Sequence, residues 1–152
     1  MKEDKLEIRA YKNSDKDIVI NILRQNTPQY FSPEEEKDLV YYLDNEIDFY
    51  FVLELNDKIV GCAGINYADN KTTGKISWDL LDPNFQRKGL GTILLNHRIE
   101  LLKSDTDIKK IIVRTSQIVY KFYEKSDFKL FEIVKDYWAK GFDLYNMEYT
   151  KL

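Results

Sequence analysis

The chain is 152 residues long, which leaves no room for two domains of ordinary size, and its 43% hydrophobic, 14% aromatic and 32% charged composition is that of a folded globular protein. Twenty-three Lys and Arg against 26 Asp and Glu give a net charge of −3, so there is no basic field to hold nucleic acid, and a single cysteine, Cys62, with a single histidine, His97, excludes an internal disulfide and a Cys/His zinc cage. No apolar run reaches bilayer length and the opening Met1-Lys2-Glu3-Asp4-Lys5 leads into none; the expectation is one cytoplasmic domain over residues 1–152, with no membrane, nucleic-acid or metal partner.

Residues 6–11 alternate as a half-buried strand, and Ser14 is the predicted cap of a helix whose apolar positions Ile18, Ile22 and Leu23 recur at helical spacing. A second helix is predicted from Ser32-Pro33-Glu34-Glu35, where a cap, a first-turn proline and early acids suit the helix dipole, and it ends before Asp48. Residues 49–55 and 59–65 flank Asn56-Asp57-Lys58 as a tight antiparallel hairpin, and 73–81 form a further strand. Residues 89–103 read as a helix with Leu90, Leu94, Leu101 and Leu102 on one side. A short buried strand at 111–113, a helix at 117–125 and strands at 130–138 and 142–149 complete the order β-α-α-β-β-β-α-β-α-β-β. That order predicts an α/β fold: a mixed sheet of about seven strands with about four helices on its faces, because strands joined through a helix run parallel whereas hairpin strands do not.

Asp82-Pro83-Asn84-Phe85-Gln86-Arg87-Lys88-Gly89-Leu90-Gly91-Thr92 carries the chain from a strand through a proline turn into a glycine-containing helix start. Amides there lack intrahelical partners and sit at the positive end of the helix dipole, which suits a phosphate or pyrophosphate. Gly89 and Gly91 permit close backbone approach, and Arg87 and Lys88 add mobile positive charge. A bare G-x-G is more often merely the loop before a surface helix; a Walker A loop is absent, and a dinucleotide fingerprint would need a third glycine where Leu94 stands.

Gln86-Arg87-Lys88-Gly89-Leu90-Gly91 resembles the Q/R-x-x-G-x-G/A signature of the GCN5-related N-acetyltransferases (GNAT). Val119-Tyr120-Lys121-Phe122-Tyr123-Glu124-Lys125-Ser126-Asp127-Phe128 resembles that family's A-x-x-F-Y-E-K-x-G-F helix, with Asp127 in place of glycine, and the element order matches along nearly the whole chain. The resemblance implies acetyl-CoA as cosubstrate between the fourth and fifth strands. Its pyrophosphate would lie on the amides of residues 87–92, its arm on the backbone of Leu80 and Leu81, with Gln117 and Tyr120 beside it. It also implies direct transfer of the acetyl group to a primary amine in a ternary complex.

Such a transfer needs a neutral amine, a stabilised oxyanion and a proton for the departing thiolate. The resemblance makes Tyr123 the general acid; the alternative is an aromatic packing its helix onto the sheet. The glutamates that relatives use as base fall here on Lys75 and Ile112, so the candidate base is Asp79, which otherwise reads as a strand-end residue in a cap or ion pair. His97 shares a helical face with leucines and reads as packed; Cys62, beside Gly61 and Ala63, reads as a small buried residue with no base nearby. The stretch from Lys135 to Met147 resembles the strand pair of protein N-terminal acetyltransferases, which would put Tyr137, Trp138 and Asp143 at the acceptor, or else it is a hairpin turning at Gly141 with aromatics paired across it. Tyr30, between the first two helices, belongs to the other acceptor wall by the same resemblance. The acceptor is a small-molecule amine, a peptide N-terminus or a lysine, and a homodimer is allowed for. The alternative function is a catalytically silent acyl-CoA-binding module serving as sensor or subunit.

Overall fold

A computed structural model describes residues 3–152; Met1 and Lys2 of the opening segment lie outside the described residues. The elements are β1 (Leu6–Ala10), α1 (Lys16–Gln25), α2 (Glu35–Asn45), β2 (Phe49–Leu55), β3 (Lys58–Ala68), β4 (Thr73–Leu81), α3 (Leu90–Lys103), β5 (Lys110–Thr115), α4 (Tyr120–Glu124), β6 (Phe128–Ala139) and β7 (Phe142–Tyr149). The seven strands form one mixed sheet in the order β1-β2-β3-β4-β5-β7-β6, the α/β architecture that the element order implied. Among the described residues only β4 and β5, joined through α3, pair in parallel.

Local chemistry accounts for most of these boundaries. Asn56 and Asp57 take left-handed backbone angles (φ 51° and 67°), which matches the turn to the sheet twist and closes the β2–β3 hairpin at Leu55↔Lys58. Ser32 and Glu35 start α2 as expected: the Ser32 amide donates to Glu35 Oε2 at 2.8 Å and the Glu34 amide to Ser32 Oγ at 3.3 Å. Ser14 does not cap α1. It lies inside a 3-10 turn, Asn13–Asp15, and the Asp15 carboxylate accepts the Lys12 amide at 2.8 Å while paired with Arg9.

Helices α1 and α2 cover one face of the sheet, burying Val19, Leu23 and Leu39 against Val52 and Cys62; α3 and α4 cover the other, burying Leu95, Ile99 and Leu102 against Ile65, Ile111 and Met147. The apolar face of α3 is Leu90, Leu94, Leu95, Ile99 and Leu102, not the predicted set: Leu101 is exposed, and Arg98 is fully buried on that face along with Leu95. Helix α4 is also shorter than predicted, because the Gln117 side chain is engaged elsewhere and the Ile118 amide donates to Ser116 Oγ at 3.2 Å. Among the described residues no helix is long and apolar enough to cross a membrane.

One irregularity decides where chemistry can occur. On β3, Cys62 and Gly64 stand two residues apart, but their partners on β4, Leu80 and Ser77, stand three apart. The extra residue is a β-bulge, with Trp78 at φ 46°. Ile76 faces α3, whereas Trp78 and Leu80 face α1 and α2, so the alternation skips a beat and Asp79 points to the α3 side. Pairing of β4 with β5 stops just before the bulge, at Ile76↔Val113, and the two strands splay apart beyond it.

Candidate active site

The splay opens a cavity of about 920 Å³, lined by β4 from Lys75 to Leu81, by β5, by the loop before α3 and by α4, with Tyr30, Phe31 and Glu35 on the α1–α2 side. Asp82 fixes the loop entrance: its amide donates to Val60 O at 2.8 Å and its Oδ1 accepts the Asn84 amide at 2.9 Å, capping the 3-10 turn Pro83–Phe85. Gln86 holds the loop to α1, since its side-chain amide donates to Asn26 Oδ1 at 3.0 Å while Asn26 donates to Leu81 O at 3.0 Å and Ile22 O at 2.8 Å. Gln86 is thereby a strut of the loop.

Arg87 (φ 64°) and Gly89 (φ 78°) are left-handed, a backbone shape that turns successive N–H groups inward. The amides of residues 87–92 have no acceptor among the described residues. This unpartnered donor set at the start of a 14-residue helix fits a pyrophosphate. The two glycines serve different needs. A Cβ on Gly89 would meet nothing within 4 Å, so glycine is required there for its φ, whereas a Cβ on Gly91 would lie 3.3 Å from the Phe122 ring, so glycine lets α4 approach. Thr92 and Arg87 line the cavity. Lys88 instead lies with its ammonium 5.6 Å from the Phe85 ring centroid, and Leu90 is buried as an anchor of α3. Leu80 and Leu81 pair with Cys62 and Gly61 on one side and have no strand on the other, which leaves a backbone edge open to the cavity.

At the centre are Asp79, Tyr123 and a residue that the sequence reading passed over, Arg98. The Tyr123 hydroxyl donates to Asp79 Oδ2 at 2.8 Å. Arg98 Nη1 and Nη2 donate to Asp79 Oδ1 and Oδ2 at 2.6 and 2.8 Å. Burial, reinforced by the Asp79 charge and opposed by Arg98, holds the Tyr123 phenol well above the usual tyrosine range, so it keeps its proton at neutral pH. Arg98 was legible as a charge at i+4 from Leu94 on an otherwise apolar helix face, a place where a cation is rare unless paired.

Other expectations fall on both sides of the cavity wall. Tyr30 and Trp138 line it, the latter with its indole N–H on Thr115 O at 3.1 Å. Tyr137 sits outside, its hydroxyl accepting from Arg114 at 2.7 Å with the guanidinium 5.0 Å above its ring. Tyr120 packs on Tyr145 at 4.9 Å between centroids and is not a lining residue. Gln117 and Asp143 lace the β6–β7 hairpin: Gln117 donates to Gly141 O at 2.7 Å and accepts the Asp143 amide at 2.9 Å, while Asp143 Oδ1 accepts the Asp136 amide at 2.9 Å. Both polar ends of Gln117 are therefore taken by the hairpin instead of the cavity. His97 packs edge-on against Phe51 at 5.1 Å, and burial pushes the Cys62 thiol up to about 12, which leaves it inert as a nucleophile.

Residues 18–128 match the acetyltransferase (GNAT) family. An N-alpha-acetyltransferase of Saccharolobus solfataricus is 27% identical over 92% of this chain and 90% of its own. The fold superposes on the ribosomal-protein-S18-alanine N-acetyltransferase of Escherichia coli (TM-score 0.77, 22% identity, 95% and 93% of the two chains) and on Arabidopsis thaliana Naa50 bound to the bisubstrate analogue CoA-Ac-MVNAL (TM-score 0.76, 15% identity, 95% and 98%). With that match over most of its length, and with the anion loop and splayed strands in place, the chain belongs to the GNAT family and is an acyl-CoA-dependent acyltransferase.

Proposed function

We propose that the protein, as one catalytic domain over residues 1–152, transfers an acetyl group from acetyl-CoA directly to a primary amine while both are bound. The observation that carries this reading is the Tyr123 hydroxyl, protonated and 2.8 Å from a carboxylate, inside the cavity that begins at the unpartnered amides of the α3 loop. Acetyl-CoA supplies the activated acyl carbon when bound. The amides of residues 87–92 hold its pyrophosphate and the open edge of Leu80 and Leu81 holds its arm. Tyr123 Oη carries the proton for the departing sulfur, and Asp79 takes the proton that the amine sheds.

The acceptor is an amine entering between Tyr30 on the α1–α2 side and Trp138 on the hairpin side. The peptide α-amine is the first to try, because the Saccharolobus relative is an N-alpha-acetyltransferase and Naa50 is solved with a peptidyl analogue. A panel of peptide N-termini, lysine, polyamines and amino sugars, read by release of free thiol from acetyl-CoA, tests the proposal. Release with one class identifies the acceptor; acetyl-CoA binding with no release from any of them replaces the enzyme with the silent binding module.

A further inference from the structure

We infer that Arg98 is a positioning residue for this acyl transfer: it holds the Asp79 carboxylate in one orientation, with one oxygen on the Tyr123 hydroxyl and the other open to the amine. The inference rests on the roles proposed above for Asp79 and Tyr123.

Arg98 has no exposure to solvent, on a helix face otherwise made of Leu90, Leu94, Leu95, Ile99 and Leu102. A guanidinium there is costly unless its donors are paired, and four of its five are. Nε donates to Leu94 O at 3.1 Å, Nη1 to Gly64 O at 3.1 Å and to Asp79 Oδ1 at 2.6 Å, and Nη2 to Asp79 Oδ2 at 2.8 Å. Two backbone carbonyls, one from α3 and one from β3, thus fix the planar fork before it meets the carboxylate. A lysine could supply the charge but not the two-point grip.

The grip has a chemical consequence. Each carboxylate oxygen accepts at two lone pairs. Oδ2 uses both, one for Arg98 Nη2 and one for Tyr123 Oη; Oδ1 uses one, for Arg98 Nη1. The remaining lone pair of Oδ1 is where a proton from the amine can go. When the C–N bond forms and the C–S bond breaks, Oδ1 takes that proton and Tyr123 Oη gives one to sulfur. Oδ1 then releases its proton and the phenolate regains one through water in the open cavity, which restores both groups and leaves one proton moved from nitrogen to sulfur. A carboxyl group that already held a proton could not begin this cycle.

Arg98 is the cation that touches Asp79. Tyr123 from α4 also touches it, while Cys62 of β3 and Tyr50 of β2, whose hydroxyl donates to Trp78 O at 2.9 Å, lie on the α1–α2 side and feel its charge only through space. All are neutral at working pH. Lys75 of β4 and Arg114 of β5 line the cavity without an ion pair to Asp79. Replacing Arg98 by an apolar residue therefore removes both the cation and the two-point contact that orient the carboxylate.

The test uses the full chain with Arg98→Lys, Arg98→Met and Asp79→Asn. The first readout is the pH dependence of kcat/KM with an accepted amine; the second, which needs no turnover, is the Asp79 carboxyl carbon by 13C NMR, assigned by its loss in Asp79→Asn. For Arg98→Met we expect kcat to fall at least about tenfold at neutral pH, with the acid limb of kcat/KM displaced from wild type and acetyl-CoA affinity kept within about threefold. Its Asp79 carbon signal moves from the wild-type position, whereas that of Arg98→Lys stays closer to it. A folded Arg98→Met with the wild-type Asp79 signal overturns the inference whether or not turnover is found. Should Arg98→Met not fold, Arg98→Lys decides: a lowered kcat at unchanged KM for acetyl-CoA supports the two-point grip, and an unchanged kcat overturns it. Absence of acetyl transfer by wild type to any amine, with the NMR difference intact, sinks the proposed function and leaves the Arg98 clamp on Asp79 standing.

Discussion

The carboxylate of Asp79 lies 2.8 Å from the hydroxyl of Tyr123, across 44 residues of sequence, because a single extra residue in β4 turns Asp79 onto the face that α3 and α4 cover. Without the bulge at Trp78, strand alternation would aim that carboxylate into the apolar cluster under α1 and α2. The bulge also ends the pairing of β4 with β5. One backbone feature therefore makes the cavity and equips it.

Tyr123→Phe removes the proton donor and leaves the ring packing on Phe122 and Phe128 intact. General acid–base contributions are typically about 10²–10⁴-fold, so kcat should fall within that range while the dissociation constant for acetyl-CoA changes little. Steady-state kinetics beside calorimetric binding checks this. An unchanged kcat would return Tyr123 to a packing role.

The anion loop predicts a stabilising ligand. Acetyl-CoA at about 100 times its dissociation constant should add about 2.7 kcal/mol, or roughly 5–10 °C in melting temperature for a chain of this size. Gly89→Asp places a carboxylate among the unpartnered amides and a side chain at φ 78°, and it should abolish the shift. If the substituted loop still gave the full shift, the pyrophosphate would have to lie elsewhere.

Much of this was readable before any coordinates. The hairpin at Asn56-Asp57, the span of β4 and the span of β7 follow from local chemistry, and the loop and α4 segments carried their family likeness in contiguous residues. What escaped is non-local. A bulge leaves no mark in an alternating pattern, so the side on which Asp79 falls was not legible. Arg98 was passed over, since its place on an apolar helix face calls for a partner but nothing in sequence says that the partner is Asp79, 19 residues away. Leu101 was misplaced because five leucines in one helix do not define a face uniquely. Gln117 and Asp143 were assigned to cofactor and acceptor by resemblance, while the Gln117 side chain is spent on the hairpin and Asp143 Oδ1 accepts the Asp136 amide within it.

That last pairing gives a prediction with the opposite sign from the loop's. Gln117→Ala removes two hydrogen bonds that tie the segment after β5 to the β6–β7 turn, worth about 1 kcal/mol each. The melting temperature should drop by several degrees while acetyl-CoA affinity stays the same. A tenfold or greater loss of affinity at an unchanged melting temperature would put the side chain on the cofactor arm after all.

Glu35 supplies a test of electrostatics inside the cavity. Burial raises its carboxyl above the ordinary glutamate range, against the Ser32 amide that donates to Oε2. A carboxyl that binds its proton more tightly in the folded chain than in the unfolded one contributes most below its unfolded pKa of about 4.3. That contribution is lost as pH rises through the folded value, so at neutral pH the buried charge is a liability. Glu35→Gln keeps an acceptor for Ser32 and removes the charge. Its melting temperature should exceed that of wild type near neutrality, and the gap should close towards about pH 4, where wild-type Glu35 is itself protonated in the fold. A gap of equal size at both pH values would mean that shape or hydrogen bonding, and not ionisation, sets the cost of a glutamate at this position.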